Sequence, residues 1–205
     1  MMKVLALISV LTLLVSCQPQ NSKDITSTVI EKTEQTEETP TFASEIEFAH
    51  YCIDCLRYEK FSALESFIAD SVLFSIYGLL DKNSSIKLSF KDIENPSNQP
   101  IYWGIHPAKG DSIFHTKDNF FTTYLSAFTS DAPPTKKTVF KGENPPNRDS
   151  KQVDYVKYFP TSAYVDFYIA PSKEGYMDWD ELIIVVKKVN EKYQLQGVVH
   201  NQWMP

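Results

Sequence analysis

The chain has 205 residues, 42% of them apolar and 22% charged, with a formal net charge of -6. That balance excludes a disordered polyelectrolyte and a multi-span membrane protein, and an acidic chain lacks the surplus of Lys and Arg with which a general nucleic-acid binder neutralises phosphates. Six glycines and four isolated histidines leave no Gly-rich phosphate cradle and no metal-ligand cluster, so no cofactor and no metal are expected.

The N-terminus reads as an export signal. Lys3 supplies the positive charge, and Val4 to Val15 is apolar apart from Ser9 and Thr12, long enough for a signal-peptide core but short of the about 20 residues that cross a bilayer. Leu14-Val15-Ser16-Cys17 follows, which resembles the bacterial lipobox: a small residue before a cysteine that is acylated and becomes the first residue after cleavage. Residues 1–16 are therefore expected to be a lipoprotein signal peptide and Cys17 the lipidation site, with two or more acyl chains giving stable anchoring. Gln18 replaces the aspartate that retains enterobacterial lipoproteins in the inner membrane, so the expected place is the cell envelope, at the outer membrane where the cell has one.

Residues 17–44 are rich in Ser, Thr, Gln and Glu. Five acids against two lysines give this segment -3, and it holds too little apolar surface to offset its ordering entropy, as in a flexible tether. Lys3 in the leader and the -3 of the tether leave -4 on residues 45–205, about 160 residues, enough for one domain.

Within that body, Ile46, Ala49, Cys52, Ile53 and Leu56 recur at helical spacing, and Phe61, Leu64, Phe67 and Ile68 repeat the pattern. Val72 to Tyr77 reads as a strand, and residues 81–100 as a long connection with a turn at Asn95-Pro96-Ser97-Asn98. Ile101 to Gly104 follows it. Thr116 is placed to cap a third helix carrying Phe120, Phe121, Tyr124, Leu125 and Phe128 on one stripe. Pro133-Pro134 and Pro145-Pro146 bracket a Lys-rich hairpin or loop. Ala163 to Ile169 alternates with period two, Leu182 to Val186 is a short apolar run, and Tyr193 to His200 alternates again after a turn at Val189-Asn190-Glu191-Lys192. The order predicts an α+β fold, N-terminal helices packed on a curved, mainly antiparallel sheet that ends in a meander.

Two resemblances rest on these residues. Gly175-Tyr176-Met177-Asp178-Trp179, the strand through Leu195-Gln196-Gly197, and His200-Asn201-Gln202-Trp203 are similar to motifs of a group of small bacterial lipoproteins of unassigned activity. Phe74-Ser75-Ile76-Tyr77 and Trp103-Gly104 extend the likeness over most of residues 60–205. Asp180 departs from the basic residue of that pattern, and no glycine follows Asn190. Leu64 to Val72 resembles the helix-to-strand passage of the NTF2-like, or SnoaL-like, superfamily, which implies a cone-shaped fold enclosing a pocket and includes both enzymes and binding modules.

Candidate chemistry is sparse. Cys52-Ile53-Asp54-Cys55 is a CxxC inside an amphipathic helix, without the preceding strand of a redox motif, so structural thiols or a simple disulfide are expected. Strict alternation places Tyr164, Asp166 and Tyr168 on one face of their strand and Gln194, Gln196 and His200 on one face of theirs. If those faces line one concavity, Asp166 could orient His200 as a general base and the tyrosines and glutamines, with Trp103, could contact a ligand; the simpler expectation is a solvated sheet face. Asp178, Asp180 and Glu181 lack calcium-loop spacing. Trp103, Trp179 and Trp203 are expected to cap the core. The leading expectation is a non-catalytic envelope lipoprotein that binds the membrane through its anchor and an unknown envelope protein or small ligand through its body, with no nucleic acid. An NTF2-like proton-transfer enzyme and a structural assembly factor are the alternatives.

Overall fold

Ser44 opens the first helix: its hydroxyl accepts the Glu47 backbone N–H, and α1 (Glu45–Arg57) buries Phe48, Ala49, Cys52, Ile53, Cys55 and Leu56 along one side. In this computed structural model the described residues are 39–203, apart from 96, 107–108, 132–133, 135, 147 and 149–152, and they belong to one compact unit, Thr39–Pro205. Cys17 and the leader lie outside the described residues. Phe42, assigned by composition to the tether, packs on Phe48, Tyr51 and Phe67, so the body takes in the end of that segment.

The second helical pattern is a 3-10 segment, Phe61–Phe67. It is short, no side chain caps its start, and Ala63 gives its carbonyl to the Tyr51 hydroxyl instead. Strand β1 (Val72–Ser75) follows. The stretch expected to be an open connection holds β2 (Ser85–Leu88) and α2 (Phe90–Glu94), the latter begun by a reciprocal capping box between Ser89 and Asp92. A separate hairpin, β3 (Ile101–Ile105) with β4 (Ser112–His115), leads to the Thr116-capped α3 (Lys117–Leu125). Gly104 holds φ +116, and a Cβ there would fall 2.6 Å from the Asn83 carbonyl oxygen, so the hairpin sits against the turn before β2 only because this residue has no side chain.

The Lys-rich excursion supplies β5 (Lys136–Lys141), and a short α4 (Tyr155–Tyr158) precedes β6 (Ala163–Ile169), β7 (Asp180–Val189) and β8 (Lys192–Gln202). The main sheet runs β2-β1-β8-β7-β6-β5. Its strands pair antiparallel except β1 with β8, and it does not close into a barrel. The α+β expectation with a C-terminal antiparallel meander is met. Lysines at 136, 137 and 141 lie on edge strand β5, where charge discourages further pairing.

Both faces of the sheet are covered. One carries α1, the 3-10 segment and α3 over Val165, Phe167, Leu182, Ile184, Leu195 and Val198. The other carries a smaller core in which Tyr155, Val156 and Phe159 pack on Leu73, Tyr164, Ile183, Val185 and Val199.

One residue decides which side chain joins which face. Val186 pairs with Leu195 and Val185 with Gly197, so Gln196 is an extra residue, a β-bulge. Beyond it the alternation of β8 is reversed. Gln194, opposite Lys187, shares its face with Val185, Ile183 and Asp166, whereas His200, opposite Leu182, points to the face covered by α3.

Candidate functional site

The bulge separates the residues that strict alternation groups together. Asp166 pairs with Ile183, and Ile183 with Val199, which puts the carboxylate on the face opposite His200. The Asp166–His200 arrangement therefore does not form. Asp166, 1% exposed, meets Arg148 instead, with Nη2 2.7 Å from Oδ2. The same guanidinium pairs with Glu181 through Nη1 and lies 4.1 Å from the centre of the Tyr168 ring. Asn201 Nδ2 donates to Glu181 Oε2 at 3.2 Å. Two acids and one arginine leave a buried net negative charge, and Asp166 Oδ1 and Asn201 Oδ1 have no hydrogen-bond partner. Burial pushes the Asp166 carboxyl above its ordinary range, and the hydrogen bond and charge of Arg148 oppose the rise. Arg148 is one of only two arginines in the chain. Its sequence clue is indirect: acids on strands whose two faces are both apolar need a cation.

Two other members of the predicted ligand set are packed into the body. Tyr164 is buried and donates its hydroxyl to the Phe159 carbonyl at 2.8 Å. Trp103, 1% exposed, stacks on Phe120 with ring centres 4.4 Å apart and donates Nε1–H to the His115 carbonyl. Gln194 and Gln196 are half-buried on β8, one before the bulge and one at it. Cys52 and Cys55 are buried free thiols, so the expected disulfide alternative is absent. Burial pushes both up, Cys52 to well above the ordinary thiol range. Asp178, Asp180 and Glu181 disperse to three separate partners, Ser172, His200 and Arg148. Among the described residues no group of three or more His, Cys, Asp or Glu could hold a metal.

On the helix-covered face, His200 is 1% exposed and held from both sides. Its Nδ1 donates to the Ile76 carbonyl at 2.9 Å and its Nε2 lies 2.7 Å from Asp180 Oδ1. Neither ring nitrogen is open to a substrate. The Gly78 N–H in turn donates to the His200 carbonyl, and Gly78 takes φ +71 with its Cα against the Asn201 side chain, where a Cβ would stand 3.0 Å from Cγ.

Around His200 the fold gathers histidines that the sequence scatters. Tyr124 packs on the imidazole at 4.7 Å. Its hydroxyl lies 3.5 Å from His115 Nε2 and is hydrogen-bonded to Tyr77, whose ring meets His106 at 4.8 Å. Burial and the Tyr77 hydroxyl push Tyr124 up to about 12. A phenol held there is a hydrogen-bond donor at neutral pH and not a base. His50 stands apart, edge-on to Phe167 at 4.8 Å, and burial pushes its imidazole down.

An open groove of about 630 Å³ is lined by Ser172, Gly175, Tyr176, Met177, Asp178 and Trp203. It forms because β7 and β8 are antiparallel neighbours, Asp180 opposite Gln202, so the loop before β7 and the end of β8 meet. Trp179 is 8% exposed and caps the core, as Trp103 does. Trp203 at 37%, Tyr176 at 54% and Met177 at 56% do not, so the expectation of three core-capping tryptophans is corrected at Trp203. Ser172 donates its hydroxyl and its backbone N–H to the Asp178 carboxylate, the N–H to Oδ1 at 3.0 Å, and these hydrogen bonds hold the carboxyl below its usual range. Lys173 Nζ lies 5.5 Å from the Tyr176 ring centre. A second exposed aromatic pair, Tyr102 with Phe114, stands on the β3–β4 hairpin with ring centres 5.6 Å apart.

No protein-family model matches the chain, and no curated protein matches it. Two solved structures are similar: a DUF4783 family protein from Bacteroides uniformis, 12% identical over 75% of this chain and 95% of that one with a TM-score of 0.27, and a DUF4783 family protein from Bacteroides ovatus, 11% identical over 75% and 93% with a TM-score of 0.27. The similar structures thus belong to an uncharacterised family.

Proposed function

We propose that this protein is an exported lipoprotein, anchored in the bacterial cell envelope through acylated Cys17, whose body is a non-catalytic binding module. The observation that carries the binding reading is the groove at Trp203. It keeps Tyr176, Met177 and Trp203 exposed where two sequence motifs converge, although the rest of the sheet end is packed. The occupied nitrogens of His200 and the pairing of Asp166 with Arg148 argue against proton transfer by either residue. Helices on one face of a sheet ending in an antiparallel meander agree with an NTF2-like reading of the body, and that fold serves binding as readily as catalysis.

The position of the groove agrees with an anchored module. Thr39 to Phe42, where the chain enters the body, lie beside Lys192 and Tyr193 at the start of β8. Trp203 follows its other end, and a strand of this length spans about 30 Å. The binding face and the point of attachment are thus at opposite ends of the sheet.

The test is fractionation of cells producing the full chain and its Cys17→Ser variant. Radiolabelled palmitate incorporated into the wild type and absent from the variant, with the variant leaving the membrane fraction or stalling as precursor, is the expected result. An unchanged distribution overturns the anchor. For the module, cross-linking through a photoreactive aromatic residue at position 203 in intact cells is expected to trap a ligand or partner that the same probe in a Tyr176→Ala background does not.

A further inference from the structure

We infer that the Trp203 groove is a saccharide subsite, taking a neutral sugar ring of an envelope or extracellular glycan between Tyr176 and Trp203. This rests on the binding-module reading and names its ligand class. The argument begins with charge. Asp178 lines the groove, and Lys173 covers the adjacent Tyr176 ring. The two charges are of opposite sign, so the groove and its rim carry no net charge that selects an anion or a cation. A neutral polyhydroxylated ring uses both: its hydroxyls donate to Asp178 and accept from Lys173, while the Ser172 hydroxyl, its proton already given to Asp178, can only accept.

The rest of the lining suits the same ligand. Aromatic faces carry partial negative charge and attract the weakly positive C–H bonds along one face of a pyranose. Tyr176 and Trp203 offer such faces and stiff rings, and Met177 adds a flexible apolar surface that adapts to a ligand's shape. The volume, about 630 Å³, falls in the range of small-ligand sites and exceeds the need of a single ion. An ionised Asp178 already pinned by Ser172 is a preformed acceptor and need not be ordered on binding.

The experiment uses the full-length acylated protein, labelled with nitrogen-15, in a sugar-free detergent. Its three indole N–H resonances are followed while maltohexaose, cellohexaose, chitohexaose and xylohexaose are titrated in turn. At least one of these is expected to shift the Trp203 indole with millimolar affinity, with buried Trp103 unmoved as the internal control. Tyr176→Ala, in an exposed loop, is expected to weaken that affinity about tenfold. Trp203→Ala, checked for native circular dichroism, removes the reporter, so its binding is read by saturation transfer to the sugar and is expected to be lost.

No shift with any of the four sugars overturns the inference. So does an equal affinity in Tyr176→Ala, or a Trp203 shift produced by hexalysine or inorganic phosphate instead of the sugars. If the sugars fail while position 203 cross-links to a protein, the saccharide assignment falls and the binding module stands. If a sugar binds and is cleaved, the non-catalytic reading falls and the saccharide assignment stands.

Discussion

His200 and Asp180 face each other on the covered side of the β7–β8 ladder, Nε2 2.7 Å from Oδ1, and the other imidazole nitrogen is spent on the Ile76 carbonyl. The pair ties the end of β8 to the start of β7 and to the segment after β1. Truncating His200 takes the imidazole from the Ile76 carbonyl, leaves Asp180 Oδ1 with the Glu181 N–H, and opens a cavity against Tyr124. His200→Ala is expected to lower unfolding free energy by about 3 kcal/mol, and Asp180→Asn, whose partner keeps Ile76, by about 1 kcal/mol. Urea denaturation followed by tryptophan fluorescence measures both, and equal losses would contradict the asymmetry.

Arg148 pairs with two carboxylates on the opposite face. Arg148→Met leaves Asp166 and Glu181 buried without a cation, and the expected loss at neutral pH is about 3–5 kcal/mol. The pH dependence has a definite sign. Burial already raises the Asp166 carboxyl, and removing Arg148 takes away the influences that lower it. A carboxyl raised above its unfolded value holds more protons in the folded state, so its penalty shrinks as pH falls through that window. The gap between wild type and Arg148→Met is therefore expected to narrow from neutrality toward about pH 5. A gap that widens on acidification contradicts the buried charge deficit.

Gln196 matters for its place in the register more than for its side chain. Gln196→Ala is expected to change stability by less than about 1 kcal/mol. Deleting the residue leaves Leu195 opposite Val186 and Gly197 opposite Val185 in an unbroken ladder, with Leu195 and Val198 still on the helix-covered face; the deletion variant is expected to keep a cooperative transition in thermal circular dichroism. Loss of that transition would show that the bulge does more than absorb one extra residue.

Cys52 and Cys55 are free thiols in the core, and burial pushes both above the ordinary thiol range, which disfavours the reactive thiolate. Both thiols of the purified protein are expected to be reduced, to react slowly with a thiol reagent when folded, and to react completely in denaturant. A mass two hydrogens lower that reverts on reduction would indicate the disulfide instead.

The β7–β8 turn places Asn190 at φ 48 and Glu191 at φ 65. Two successive positive φ values define the tight hairpin turn that usually carries glycine second. Glu191→Gly relieves that strain and forfeits only the exposed ion pair with Lys188, so it is expected to stabilise by about 0.5–1 kcal/mol. A decrease in melting temperature would mean that the ion pair outweighs the backbone.

Local chemistry fixes the elements that can be read from the residues alone. The cap at Ser44 and the stripe through Cys52 and Leu56 specify α1; Thr116 with Phe120, Phe121 and Leu125 specifies α3; and alternation from Ala163 to Ile169 specifies β6. Each is a periodic signal read within one element. The short β2, α2 and α4 were not legible because four or five residues are too few for a period, although Ser89 and Asp92 do carry the capping signature of α2.

The site was decided by tertiary structure. A single extra residue at Gln196 reverses the facing of everything after it, and only the pairing of Leu195 with Val186 reveals it. That reversal separates His200 from Asp166 and gives it to Asp180. Arg148 reaches its carboxylates from a connection outside the strands, and Trp203 reaches Tyr176 because two strands run antiparallel. Composition and periodicity determine which residues seek burial. Which polar groups meet depends on register, and register is a property of the paired strands together.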